Sequence, residues 1–96
     1  MTPPSRVPSV SVEFYGVPRR RAGAGRAAVF AANLADALAG LARQFPGLAA
    51  DVIDGASGRL RPEYRVSLNG ESFPSDPGTP LAEGDVLILL SADVGG

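Results

Sequence analysis

The sequence closes on Gly95-Gly96, behind an apolar run and a short spacer, VLILLSADVGG from Val86 to Gly96. Read as a free chain end, the pair puts a carboxylate on a stalk without side chains. Glycine has no Cβ, so such a stalk enters a cleft too narrow for any other residue. The chemistry suggested is that of an acyl group: Gly96 supplies the reacting carboxylate, and Asp93, Val94 and Gly95 are the stretch that enters a partner's site. The competing reading is a flexible tail in which two of the chain's 12 glycines fall together.

Little other chemistry is open to these 96 residues. There is no Cys, hence no disulfide, thiolate metal site or cysteine nucleophile. There is no His, the usual general base and commonest transition-metal ligand. All nine cations are Arg, which is not deprotonated and is no amine nucleophile. Carboxylates and Tyr remain, but no catalytic residue and no metal ligand is assigned, and a conventional enzyme is disfavoured. A formal charge of -1 does not favour nucleic-acid binding. The opening MTPPSRVPS is polar and Pro-rich, and the longest apolar run, Val86 to Leu90, is far short of a membrane span. A soluble, cytoplasmic protein without membrane contact is expected.

The elements that must position the chain end follow from periodicity. Residues 1–9 read as a disordered lead-in, 10–90 as one domain and 91–96 as a flexible tail. Val10, Val12 and Phe14 alternate with Ser11, Glu13 and Tyr15, predicting a strand with one apolar face. Gly16 to Arg26 holds Gly, Pro and four arginines and predicts a mobile basic hairpin over Arg19–Arg26. Its Gly23-Ala24-Gly25 lacks the Lys-Ser/Thr of a P-loop and is not a full dinucleotide fingerprint. A short strand is placed near Ala27 to Ala32. Asn33 is a good helix N-cap, with Asp36 three residues on. Leu34, Leu38, Leu41, Ala42 and Phe45 then make one apolar stripe over about residues 34–45, which Pro46-Gly47 ends.

Residues 47–62 predict an irregular connection with turn signals at Asp54-Gly55 and Ser57-Gly58. Tyr64, Val66 and Leu68 predict a strand, Asn69-Gly70 a tight hairpin turn, Glu71 to Phe73 a brief partner strand, and Leu81 to Asp85 a single helical turn. In the last strand Leu87 and Leu89 lie at one parity and Val86, Ile88 and Leu90 at the other. One amphipathic helix covers only one sheet face. One set therefore faces the helix and the other is left as a contact surface, unless the 47–62 loop or a second copy covers it, and the alternation leaves open which set is which. Ile88 and Leu90 are the candidate partner contacts.

This order, densest in VSLNGESF (Val66 to Phe73), TPLAEGDVLILL (Thr79 to Leu90) and the ending SADVGG, resembles the MoaD/ThiS family of ubiquitin-like sulfur carriers over about residues 10–96. The resemblance implies an α+β fold, the ubiquitin-like β-grasp, with a mixed sheet of four to five strands packed on one main helix. It also implies a mechanism. A separate E1-like adenylyltransferase of the MoeB/ThiF type, using ATP and Mg²⁺, adenylates Gly96. Persulfide or sulfide sulfur then displaces AMP, and the resulting C-terminal thiocarboxylate donates sulfur to a second enzyme. No cofactor is bound by the carrier, which acts as a protein cosubstrate. The family places an apolar partner-contacting residue where Leu90 stands, six before the end, although core packing is an alternative for it. Asp93 could pair with an Arg of the activating enzyme or simply be solvated.

Among acceptors, the resemblance favours molybdopterin synthesis, with the large subunit of molybdopterin synthase as partner. Carriers serving cysteine, thiamine or specialised-metabolite formation are the alternatives. A ubiquitin-like modifier joined to target lysines through Gly96 is a further reading, as is a β-grasp interaction module whose Gly-Gly ending is accidental. The absence of Cys and Lys means that no side chain of these types can attack the activated terminus from within. Charge is uneven: residues 66–96 carry five acids and no Arg, which could steer the tail towards a basic partner.

Overall fold

Val10, Val12 and Phe14 are fully buried, and they set the inward face of β1 (Ser9–Phe14) in a computed structural model that describes residues 7–54 and 57–92. β1 pairs antiparallel with β2 (Arg26–Phe30) and parallel with β6 (Val86–Ser91), which in turn pairs antiparallel with β5 (Tyr64–Leu68). The four-stranded sheet runs β2-β1-β6-β5, so the last strand in sequence lies inside the sheet.

Helix α2 (Leu34–Gln44) forms where the apolar stripe and the cap predict it. Its N-cap Asn33 accepts the Asp36 N–H at 2.8 Å through Oδ1, and the Asn33 amide donates back to Asp36 Oδ2 at 3.3 Å. Leu34, Ala37, Leu38 and Leu41 are buried against the inward sheet residues, including Leu87 and Leu89. Phe45, just past the helix, meets the Phe14 ring edge-on with centroids 5.5 Å apart. Such a pair contributes about 1 kcal/mol beyond its burial.

Two segments differ from the sequence expectation. Residues between β1 and β2 are not a mobile hairpin: Val17–Ala22 is a helix, α1, with Pro18 buried in its first turn and Gly23 closing it in the left-handed conformation. Proline at a helix start and glycine just past its end fit the geometry at each, and Arg19, Arg20 and Arg21 sit in the last turn, where the helix dipole favours cations. Entry to α1 needs Gly16, whose φ of 64° and ψ of -131° lie where side chains are not tolerated.

The 47–62 stretch is likewise structured. Pro46 ends α2 and opens α3 (Pro46–Asp51), and a two-stranded ribbon follows, β3 (Ile53–Asp54) against β4 (Arg59–Leu60). Leu48, Val52 and Ile53 are fully buried, which extends the core beneath this segment. α3 lies against α1, with Arg21 Nε 3.0 Å from Asp51 Oδ2; both groups are about half exposed, so the pair contributes well under 1 kcal/mol. Tighter is the approach of Gly47, where an added Cβ would run into the Arg21 carbonyl oxygen. The expected strand at Glu71 to Phe73 reduces to one bridge, Leu68 to Ser72, and Leu81 to Asp85 forms a turn rather than a helix.

Asn69, at φ 57°, does more than turn the chain. Its Oδ1 accepts the Val86 N–H at 2.8 Å and its Nδ2 donates to Asp85 Oδ1 at 3.0 Å, while Asp85 Oδ2 accepts the Ala82 N–H at 2.8 Å. These bonds tie two turns to the start of β6. They also hold the Asp85 carboxyl below its ordinary value of 3.8, first through Asn69 and then through the Ala82 N–H, against a small opposing effect of burial. A depressed carboxyl stabilises the fold fully above its unfolded pKa, and that contribution disappears as pH falls through the folded pKa. Denaturant melts across acid pH should therefore show a shallower acid loss for Asp85→Asn than for the parent. At neutral pH the variant should be about 1–2 kcal/mol less stable, since one oxygen acceptor becomes a donor. Parallel acid limbs would refute the assignment.

Candidate functional site

Strand alternation sorts β6 into two rows. Leu87 and Leu89 are fully buried on the helix side, whereas Val86, Ile88 and Leu90 are half-buried on the outer side. The cross-strand partners on that outer side are small or polar: Ser11 beside Val86, Glu13 and Ser67 beside Ile88, and Arg65 beside Leu90. The buried residues of α2 and α3 all join the opposite face. The outer strip is thus apolar along its axis and charged at its margin, the anatomy of an interface core with a polar rim.

Sequence reasoning named Ile88 and Leu90 but not that rim. Tyr15 follows β1 on the outer parity, is 49% exposed, and donates its hydroxyl to Glu13 Oε1 at 2.8 Å. That hydrogen bond is the main reason the phenol is raised above 10.0; the Glu13 charge adds to it, and Arg26 and Arg19 oppose it. Arg26 lies opposite Glu13 in the β1–β2 pair, on the same outer parity, and α1 packs against β6. The alternation of Ser11, Glu13 and Tyr15 was the available signal. Arg26 could be placed only once the β1–β2 register was known.

At its exit β6 is still held. Ser91 pairs with Tyr64, and the Ala92 N–H donates to the Glu63 carbonyl at 2.7 Å, so Ser91 belongs to the strand rather than the tail. Asp93, Val94, Gly95 and Gly96 lie outside the described residues. Among the described residues no group of three or more acidic side chains converges as a metal site, and no helix is long and apolar enough to cross a membrane.

A four-stranded mixed sheet with a capped helix on one face and a central, parallel last strand is a ubiquitin-like β-grasp. No protein-family model matches the chain, and no curated protein matches it in sequence. Solved structures do match. SAMP1 from Haloferax volcanii is 30% identical, with a TM-score of 0.77 over 92% of this chain and 99% of that one. Small archaeal modifier protein 1 of Methanosarcina acetivorans (21% identical, TM-score 0.75, 93% and 97% covered) shares the fold. So does a candidate molybdopterin converting factor subunit 1 from Pyrococcus furiosus (18%, TM-score 0.68, 88% and 97% covered). The chain belongs to the ubiquitin-like family of small archaeal modifier proteins and MoaD/ThiS-type sulfur carriers.

Proposed function

We propose that the chain is a sulfur carrier whose reacting group is the Gly96 carboxylate, serving molybdopterin synthesis. The observation that carries this reading is the outer strip of Ile88 and Leu90 on the strand that runs directly into SADVGG. A partner gripping that strip holds the chain end at a fixed distance from its own active site. Beyond Ala92 four residues remain, spanning about 13–14 Å when extended.

An E1-like enzyme of the MoeB/ThiF type would join the carboxylate to the α-phosphate of ATP, with Mg²⁺ and loss of pyrophosphate. Hydrosulfide then attacks the acyl carbon, AMP leaves, and the thiocarboxylate forms with release of a proton. The adenylate is needed because a free carboxylate has no adequate leaving group. This chain's residues contribute docking through Ile88 and Leu90, entry through Asp93, Val94 and Gly95, and the acyl carbon of Gly96. A sulfur-accepting enzyme such as the molybdopterin synthase large subunit would then take the sulfur. The similarity to small archaeal modifier protein 1 of Haloferax volcanii favours one second reading, conjugation of Gly96 to target lysines.

Incubation with an E1-like adenylyltransferase, ATP, Mg²⁺, hydrosulfide as the sulfur source and a lysine-bearing target protein tests both. AMP release that depends on Gly96, with intact mass rising by the exchange of one terminal oxygen for sulfur, is the expected result. Recovery only as isopeptide adducts would select the modifier, and no AMP release would overturn both. In the same assay Leu90→Asp, which leaves the buried row untouched, should lower kcat/KM about 30-fold or more, as loss of a central apolar contact does. Its melting temperature should stay close to the parent's. Unchanged kinetics would remove the outer strip from the docking surface.

A further inference from the structure

The sheet has two margins, β5 and β2, and they differ. On β5, Val66 is buried and the Leu68 N–H donates to the Ser72 carbonyl. The groove beside it is lined by Arg59, Arg61 and Arg65, all exposed, so a second copy there would set arginines against arginines. On β2, the Phe14 N–H donates to the Gly25 carbonyl at 2.9 Å and the Ala31 N–H to the Pro8 carbonyl at 3.0 Å. Those two bonds fix the phase of the ladder: odd-numbered residues of β2 bond β1, while Arg26, Ala28 and Phe30 direct their N–H and carbonyl groups away from the sheet. All three residues are exposed, Phe30 at 75%, and these backbone groups have no hydrogen-bond partner among the described residues. Ala32, next in phase, is already used, its carbonyl accepting the Leu81 N–H at 3.0 Å.

The side chains along this edge fall into two rows. Arg26, Ala28 and Phe30 lie on the outer face beside Glu13, Ser11 and Ser9, and Ala27 and Val29 turn towards the core. Apart from Arg26, β2 carries none of the charge, proline or bulge that usually blunts a sheet edge.

We propose that β2 pairs antiparallel with β2 of a second copy of this chain, about a two-fold axis at Ala28. Arg26 then lies opposite Phe30 of the second copy, Ala28 opposite Ala28 and Phe30 opposite Arg26, and each pair exchanges both backbone bonds. A shift of two residues sets Phe30 against Ala24, outside the strand, or Arg26 against Ala32, already bonded. The strand's own pattern selects the occupant. Arg26 has Glu13 on one side and an aromatic ring on the other, a pairing in which guanidinium and ring attract, and no like charges meet. On the inward face Ala27 meets Val29, apolar against apolar. Two-fold symmetry provides each of these contacts twice. A five-residue strand makes a small interface, so the dimer forms reversibly. Addition in the plane of the sheet leaves each Ile88–Leu90 strip, two strands further in, uncovered. The seam adjoins the rim of that strip at Glu13, and Gly96 takes no part in it.

The test is sedimentation equilibrium of the full chain from about 10 µM to 1 mM, with no activating enzyme present, paired with amide hydrogen exchange. Apparent mass should climb towards twice the monomer's, and exchange at Arg26, Ala28 and Phe30 should slow as concentration rises. Ala28→Pro removes the N–H at the centre of the seam. In the monomer that N–H faces solvent, so the variant should keep its fold and lose association. Phe30→Lys sets like charges opposite each other at both ends of the seam and should weaken association at least about tenfold, without lowering the melting temperature. A chain still monomeric at about 1 mM would overturn the proposal and leave the edge to a strand of another protein. Association undiminished in Phe30→Lys, or protection centred on Ile88 and Leu90 instead of β2, would overturn it too.

Discussion

Removing Gly96 is expected to abolish ATP-dependent activation while the fold melts as before. The last described contact of the chain end is the Ala92 N–H to Glu63, four residues upstream, and every core residue precedes it. A chain ending at Gly95 still offers a carboxylate, but withdrawn by roughly 3.5 Å, one residue's span. Reacting atoms must come within about 3–3.5 Å in a productive complex, and a misplacement of even 1 Å costs on the order of 10²-fold. In the proposed docking through Ile88 and Leu90, a chain end that must be extended to reach the partner's site would leave the shortened chain no slack to recover that distance. Pyrophosphate exchange and AMP release should therefore fall by at least about 10²-fold, with a superimposable thermal melt. Exchange retained within about an order of magnitude would show that the chemistry is not set by the terminal residue.

The second large effect concerns stability. Gly47→Ala should cost about 3 kcal/mol, the upper part of the range for forced overpacking, because the new methyl meets backbone, the Arg21 carbonyl, rather than a side chain that can swing away. For a domain of this size that lowers the melting temperature by roughly 15 °C. Gly40→Ala is the matched contrast. There the added Cβ would sit 3.7 Å from Val29 Cγ1, an ordinary contact, inside helix α2. It should stabilise by about 0.5–1 kcal/mol through helix propensity. Equal stability of Gly47→Ala and the parent would mean that α1 and α3 are not locked together as described.

What could be read beforehand follows the strength of local signals. α2 was legible because cap, stripe and stop agree, and all three act within one helix. The parity of β1 was legible because only one of its two rows is apolar, whereas both rows of β6 are. That Leu87 and Leu89, rather than Ile88 and Leu90, face α2 depends on sheet order, which periodicity does not encode. α1 and α3 were missed for one shared reason: Pro18 and Pro46 were taken as chain breakers, yet each stands at the first turn of a helix, where its missing N–H costs nothing. Four arginines within Gly16–Arg26 suggested mobility, although arginine is a good helix former. The Arg59–Arg61–Arg65 groove joins residues that only the packing of β4, β5 and α2 brings together.

The position of β6 inside the sheet bears on what happens when something pulls on the chain end. Tension at Ser91 runs along a strand bonded on both sides, parallel to β1 and antiparallel to β5. Those rows of hydrogen bonds are loaded in shear and must yield together, whereas a strand at the margin would peel one bond at a time. A machine that tugs on the terminus would therefore drag the whole domain with it before unravelling any of it.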